Sequence, residues 1–390
     1  MAGEFEEIGH SGGTITFDVR VDDQGRTSVQ TTMSSMRPVP VALIGIWALP
    51  ANGIPVGIYD LGFGSRPPPF PGCLPVVIAS DNEGKFGHLC PACGGYWRSG
   101  PWPNVCPYCA VMAPTHDFLS GAQRRYVQRY CEVLSEALRS DHDVQVKIDM
   151  DEVADAVGKE GEKPAFYVSE ESQQHKFVCS ACEQFNDILG RFGYCSTCGT
   201  RNDLVEFEEQ AVSAIRNRLK ASAQPEDCVR DGVAAFDSFI AQYAKQLAML
   251  VPMIERRRAR LLNQRFHDLN ETQRIFAEWF GIDLFNGMPE SERSFAARMF
   301  HRRHVYEHNG GEIDERYLKD SGDSSVRLKQ RIHETQKDGH DLLNLLVKMA
   351  RNAHRGFHEV FPPLPEPTEA LAGRKARERT AAAPSERPVR

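Results

Sequence analysis

Residues 90–109 read CPACGGYWRSGPWPNVCPYC, and residues 179–198 read CSACEQFNDILGRFGYCSTC. Each stretch holds two CxxC pairs, Cys90/Cys93 with Cys106/Cys109 and Cys179/Cys182 with Cys195/Cys198, and in both cases twelve residues separate the pairs. A CxxC turn brings two sulfurs to one side of the chain. The excursion between pairs is long enough to return as a hairpin, so four thiolates can converge on one ion. Four sulfur ligands suit tetrahedral Zn²⁺ and leave no position for water, which makes each of the two ions structural rather than catalytic. Four thiolates can also hold an iron–sulfur cluster, and pairs could be exchanged between the stretches. The matched spacing favours two self-contained zinc sites.

Over these two stretches the chain resembles the zinc-ribbon family, whose modules serve nucleic acid and protein partners alike. Inside the first, Tyr96, Trp97, Arg98 and Trp102 could stack on unpaired bases, although covering the small apolar base of a ribbon is the simpler role. Cys73, Cys131 and Cys228 remain and read as buried thiols; His88, His116 and His175 lie nearby and read as surface residues.

Working outward, the 390 residues are 41% hydrophobic and 25% charged, ordinary for globular protein and long enough for two or three domains. No run approaches the ~18 apolar residues of a membrane span, and the most apolar stretch, Val39–Pro50, is short and broken by prolines. Met1–Glu7 carries acids where a signal peptide needs basic and then apolar residues. The expectation is a cytoplasmic protein with no membrane partner, in which eleven cysteines signal metal rather than disulfides. The net charge of −7 lies mainly in the N-terminal part. Nucleic-acid binding by overall charge is thereby excluded, and any such contact must be local.

Upstream of the cysteines the pattern is β. Thr14–Val21 alternates apolar and polar residues, residues 22–26 supply a turn, and Val41–Trp47, Gly53–Tyr59 and Leu74–Ser80 follow as short strands around a proline-rich loop at 65–72. Gly121–Arg139 reads as a helix between the clusters, and Leu204–Ala221 as another. In the C-terminal part, Val233, Phe236, Ile240, Tyr243, Leu247, Leu250 and Ile254 recur at helical spacing, with Pro252 expected to kink the helix. A capping box at Asn270 opens the next helix. Further helices are expected over Pro289–Glu307 and over Ser324–Val360, the latter with Leu342, Leu346, Met349, Ala353, Phe357 and Val360 on one face and Gly339 as an interruption. The fold class is therefore α+β and multidomain: a β-rich domain at 1–88, the first ribbon at 89–120, a helical or mixed linker at 121–174, the second ribbon at 175–203, an all-α bundle at 204–361 and a disordered tail at 362–390.

The chemistry-bearing element downstream is Arg302-Arg303-His304-Val305-Tyr306-Glu307-His308-Asn309-Gly310-Gly311. His308-Asn-Gly-Gly is a helix stop, with glycine suited to the left-handed position. Arg303 and His308 form an R-x4-H pair with the polar His304 directly after the arginine. With the run His308–Leu318 and the helical setting, this resembles the HEPN superfamily over roughly residues 228–361. The resemblance implies a helical bundle, a homodimer in which both Arg–His sets face one cleft, and metal-independent cleavage of RNA. On that basis His308 is the candidate acid/base, Arg303 the phosphate clamp, and His304 and Asn309 assistants, with Arg302 a solvated or phosphate-facing neighbour. An imidazole exchanges protons near neutral pH, and a guanidinium grips phosphate oxygens bidentately. The layout would suit a toxin or antiviral-defence effector. Two other readings stand beside it: a non-catalytic RNA- or protein-binding molecule whose helical domain dimerises, and a ribbon-based DNA binder, against which the acidic N-terminal half argues. The run Glu255–Arg260 and the set Arg351, His354, Arg355 and His358 are secondary candidates. No P-loop, GxGxxG, HExxH or GxSxG motif occurs.

Overall fold

The computed structural model describes residues 13–34, 42–59, 61, 67–80, 84–149, 174–221 and 223–382. The expectations for the acidic N-terminus, residues 39–41, the first two residues of the proline-rich loop, residues 150–173 and the tail at 383–390 lie outside the described residues. The chain forms two compact units, 1–200 with 364–390, and 201–363.

In the first unit, β1 (Thr14–Val21) buries Ile15, Phe17 and Val19 on one face, as the alternation predicts. It pairs antiparallel with β2 (Thr27–Ser34) and with β8 (Val144–Asp149). A second antiparallel sheet runs β4-β3-β5, from β3 (Leu43–Leu49), β4 (Ile54–Tyr59) and β5 (Leu74–Ala79). Both sheets and α1 (Gly121–Ala137) share one core, to which the helix contributes Tyr126, Val127, Tyr130 and Leu134. Ser120 and Gln123 cap α1 reciprocally. Segment 121–174 is thus more than a linker, because α1 fills this core and β8 completes a sheet that begins at residue 14.

The two cysteine stretches build a single sheet. β6 (Phe86–Leu89) and β7 (Tyr96–Ser99) form one hairpin, β9 (Gln174–Val178) and β10 (Phe185–Leu189) the other, in the order β6-β7-β10-β9. A constant displacement of 89 residues relates Cys90 to Cys179 and Cys109 to Cys198. The same displacement relates Arg98 to Asp187, which face each other across the β7–β10 pairing. The hairpins are therefore arranged with local two-fold symmetry about this pair. The backbone repeats the symmetry: Val105 N–H donates to the Ser196 carbonyl at 3.0 Å, and Tyr194 N–H donates to the Pro107 carbonyl at 2.9 Å. Residues at such an axis meet their own counterpart, and like charges there would repel. The sequence has placed Arg98 against Asp187, 3.2 Å apart and each 2% exposed.

Residues 365–382, expected to be disordered, form the last helix of the chain, α9 (Pro365–Ala382). It is rich in Ala, Glu and Arg, all good helix formers. Leu364 N–H donates to the Cys198 carbonyl at 2.8 Å, Lys375 pairs with Glu183, and Leu371 is buried.

The second unit is all-helical. Residues 203–220 run as one helix, α2, whose middle (Glu206–Val212) widens into a π-helical stretch. Then come α3 (Pro225–Leu250), α4 (Glu255–Leu262), α5 (Leu269–Phe280), α6 (Glu290–His308), α7 (Glu315–Ser321) and α8 (Gln336–Val360). The predicted faces of α3 and α8 pack together and are buried up to Leu247 and Phe357, with Leu250 half-buried and Val360, expected on the buried face, exposed at the helix end; Gly232 lets Leu343 and Leu346 approach closely. Pro252 ends α3 rather than kinking it, and Ile254 is left exposed in the break. Asp268 caps α5, two residues before the expected box, by accepting from Glu271 N–H. The helix expected from Ser324 starts only at Gln336, where Thr335 and Asp338 form a capping box. The preceding chain instead folds back, Ile313 N–H bonding the Gln330 carbonyl and Lys329 N–H the Ile313 carbonyl. Gly339 does not interrupt α8; it is buried against Leu219.

Candidate functional site

The strongest chemical constellations are the two cysteine clusters. Within each, the four sulfurs lie within 4.8 Å of one another. The Cys90–Cys109 and Cys93–Cys106 separations are 3.7 Å, and those of Cys179–Cys198 and Cys182–Cys195 are 3.6 Å. A tetrahedral four-thiolate site with metal–sulfur bonds near 2.3 Å has edges of about 3.8 Å, so both clusters fit a metal ion. Each cysteine set closes on its own hairpin, which excludes exchange of pairs between them. Donors surround the sulfurs: Tyr108 N–H points at Cys106 Sγ (3.4 Å), Ala181 N–H at Cys179 Sγ (3.4 Å) and the Asn186 amide at Cys195 Sγ (3.6 Å). Such bonds favour the deprotonated, ligating form of sulfur.

The histidines are not equivalent bystanders. His88, expected at the surface, is 1% exposed, and its Nε2 lies 3.1 Å from the Gly100 carbonyl. Tyr96, Trp97 and Arg98 are buried within the hairpins, leaving Trp102 as the exposed aromatic of the four. Cys73, Cys131 and Cys228 are buried thiols, as expected.

At the end of α6 two adjacent arginines part company. Arg302, expected to be solvated or phosphate-facing, is 13% exposed and bonds both oxygens of Glu334 (2.9 and 3.1 Å), Asp323 (3.1 Å) and the Tyr317 hydroxyl (3.3 Å). Burial works against its charge, but Tyr317, Glu334 and Asp323 hold its pKa above the ordinary value. Tyr306 adds its hydroxyl to Glu334 at 2.5 Å. This is an architectural knot that ties α6 to the segment before α8.

Arg303 points elsewhere. Its guanidinium meets Glu307 at 2.7 Å, one turn on. Arg303 and His304 line a cavity of about 230 Å³ together with His267, His301, Arg316 and Tyr317. The rings of His304 and His308 are 4.5 Å apart, and His308 is 54% exposed. Burial, reinforced by His308, Arg316 and Arg303, lowers the pKa of His304. The four expected residues are thus brought to one helix end, but in different ways. His308 lies at the rim, not among the cavity's lining residues, and the Asn309 amide is engaged by Asp314 at 2.7 Å, where Asp314 also caps α7. Gly310 and Gly311 take left-handed backbone conformations, as the stop signal predicts.

His267, His301 and Arg316 were not singled out from sequence. His301 precedes His304 by three residues, a spacing that places both on one helix face, and this was the available signal. The secondary set on α8 divides. Arg351 and Arg355 line a separate, open cavity of about 780 Å³ with Arg216 and Lys348. His354 and His358 face inward: His354 Nδ1 is 2.7 Å from the Tyr243 hydroxyl, and His358 Nε2 accepts from Arg201 N–H at 3.2 Å.

Compared with family models, curated proteins and solved structures, the chain matches none of them. Among the described residues no helix is long and apolar enough to cross a membrane.

Proposed function

We propose that the chain is a metal-independent endoribonuclease of the HEPN type that acts as a cytoplasmic homodimer. Its two cysteine clusters are zinc ribbons, each holding one structural Zn²⁺, that serve target or partner recognition, as in a toxin or antiviral effector. The observation that carries the reading is the gathering of Arg303, His304 and His308 at the end of α6, with Arg303 and His304 on the wall of one cavity and His308 at its solvent side. In this scheme the Arg303 fork leaves Glu307 to grip the scissile phosphate. An imidazole takes the proton of the ribose 2′-hydroxyl as the 2′-oxygen bonds to phosphorus. The bond to the 5′-oxygen breaks, and that oxygen takes up a proton, leaving a cyclic phosphate and a 5′-hydroxyl. His304, whose environment favours the neutral ring, is suited to accept a proton, and the exposed His308 to exchange one with the strand.

The test is cleavage of single-stranded RNA by the purified protein in EDTA. Loss of activity by about 10² or more in His308→Ala is expected; full activity in that variant discards the assignment. The Arg303–Glu307 ion pair favours a second reading, a non-catalytic binder in which Arg303 merely staples its own helix. Absence of cleavage on any RNA, with binding retained, selects it.

A further inference from the structure

One surface of the second unit collects more arginines than acids, and only Arg258 (with Glu255, 3.1 Å) and Arg260 of its α4 run are paired with acid among the described residues. Residues 256–266 read RRRARLLNQRF, with five arginines, no lysine and no acid. Arg256, Arg257 and Arg260 are exposed on α4. Arg260 is shared with Glu271 at 2.9 Å, whereas Arg256, Arg257 and Arg265 have no carboxylate partner among the described residues. A helix face that serves only solubility interleaves acids to gain pairs three or four residues apart; after Glu255, α4 does not.

Beneath these arginines stands Trp279 of α5, with the guanidinium carbons of Arg257 and Arg260 at 5.6 and 5.5 Å from its ring centre. Stacking on an indole fixes a guanidinium plane while leaving its N–H edges available to phosphate. At its other end α5 begins at Asp268, which with His267 lines the cavity of Arg303 and His304. Asp268 and Trp279 are eleven positions apart, ~16 Å along a helix.

We propose that α4 and α5 form a binding face for single-stranded RNA, centred on Arg257 and Trp279. Arginine forks fit phosphate oxygens, and an aromatic backing suits the exposed faces of unpaired bases, which a duplex hides. The inference rests on the nuclease reading only for the direction of the strand, towards Arg303; binding itself is measured without cleavage.

The experiment uses the full-length His308→Ala protein and a labelled single-stranded RNA oligonucleotide, followed by anisotropy over a range of salt concentrations. The double variant Arg256→Glu/Arg257→Glu is expected to weaken binding at least about tenfold and to flatten the dependence on salt, because phosphate contacts release counterions. Trp279→Leu is expected to weaken binding with the salt dependence unchanged, and Arg327→Glu, at a different exposed position, to leave binding unaltered. The proposal is overturned if the arginine pair and Trp279 can be changed without effect, or if duplex DNA binds as tightly with the same sensitivity. Binding that depends on Arg257 and Trp279 in a protein that cleaves nothing retains the face and discards the nuclease, so the two failures are distinguishable.

Discussion

Arg302 and Arg303 are neighbours of the same chemistry, and their surroundings give them opposite duties. Arg302 sits among Glu334 and Asp323, which are 1% and 3% exposed. Removing the cation strands two buried carboxylates, so Arg302→Ala should destabilise the helical unit by about 3–5 kcal/mol. Arg303 pairs with a Glu307 that is 41% exposed, and Arg303→Ala should move stability by no more than ~1 kcal/mol while abolishing the proposed cleavage. Denaturant titration of both variants beside an RNA assay separates the roles; equal destabilisation would contradict this division. His354 supplies a pH dependence. Burial first, then His358 and Arg201, depress its pKa to about 3. An unfolded chain binds a proton there below ~6.5 that the folded chain refuses, so stability present above that pH is lost on acidification towards 3. The slope is at most ~1.4 kcal/mol per pH unit. His354→Asn should flatten it in unfolding measured across that range, and an unchanged slope would assign the effect to other groups.

Among the elements, the β7–β10 seam depends on one buried ion pair at its local two-fold axis. Arg98→Met or Asp187→Leu alone leaves an uncompensated charge and should cost about 3–5 kcal/mol, whereas the double change Arg98→Met/Asp187→Leu should restore most of it. A thermodynamic cycle on the three variants decides, and additivity would deny the coupling. This seam also marks the limit of what the sequence conveys. The CxxC spacing announced both four-cysteine clusters, and periodicity announced α1, α3 and most of the buried face of α8, because those signals are local. That two hairpins 89 residues apart would merge into one sheet depends on a pairing no local pattern records. The same blindness hid β8 in a linker and made Arg302 look solvated, since its carboxylates come from residues 323 and 334. The tail composition at α9 resembled disorder because its anchors, the Cys198 carbonyl and Glu183, are equally distant in sequence.

On the scale of the molecule, the two units are stabilised by different means. The helical unit has an extensive apolar interior in which Phe236, Phe239, Tyr243 and Phe357 meet ring against ring. Around the second cysteine cluster the buried set consists of Cys179, Cys182, Cys195 and Cys198, with Ala181 against them. So small a group buries too little apolar surface to offset the entropy of ordering the hairpin. On the proposed reading, a metal ion bound only in the folded state supplies part of the difference, since its binding free energy becomes folding free energy. Metal analysis of the purified chain should therefore give two ions, and Cys198→Ser should give one. Stripping both with a strong chelator should loosen the hairpin sheet while the helical unit keeps its far-ultraviolet signal and its own unfolding transition. RNA cleavage in EDTA would persist if the ribbons only recognise a target. Collapse of the helical signal together with the metal would instead mean that the two units fold as one, and the division of labour between structural metal and metal-free chemistry would have to be abandoned.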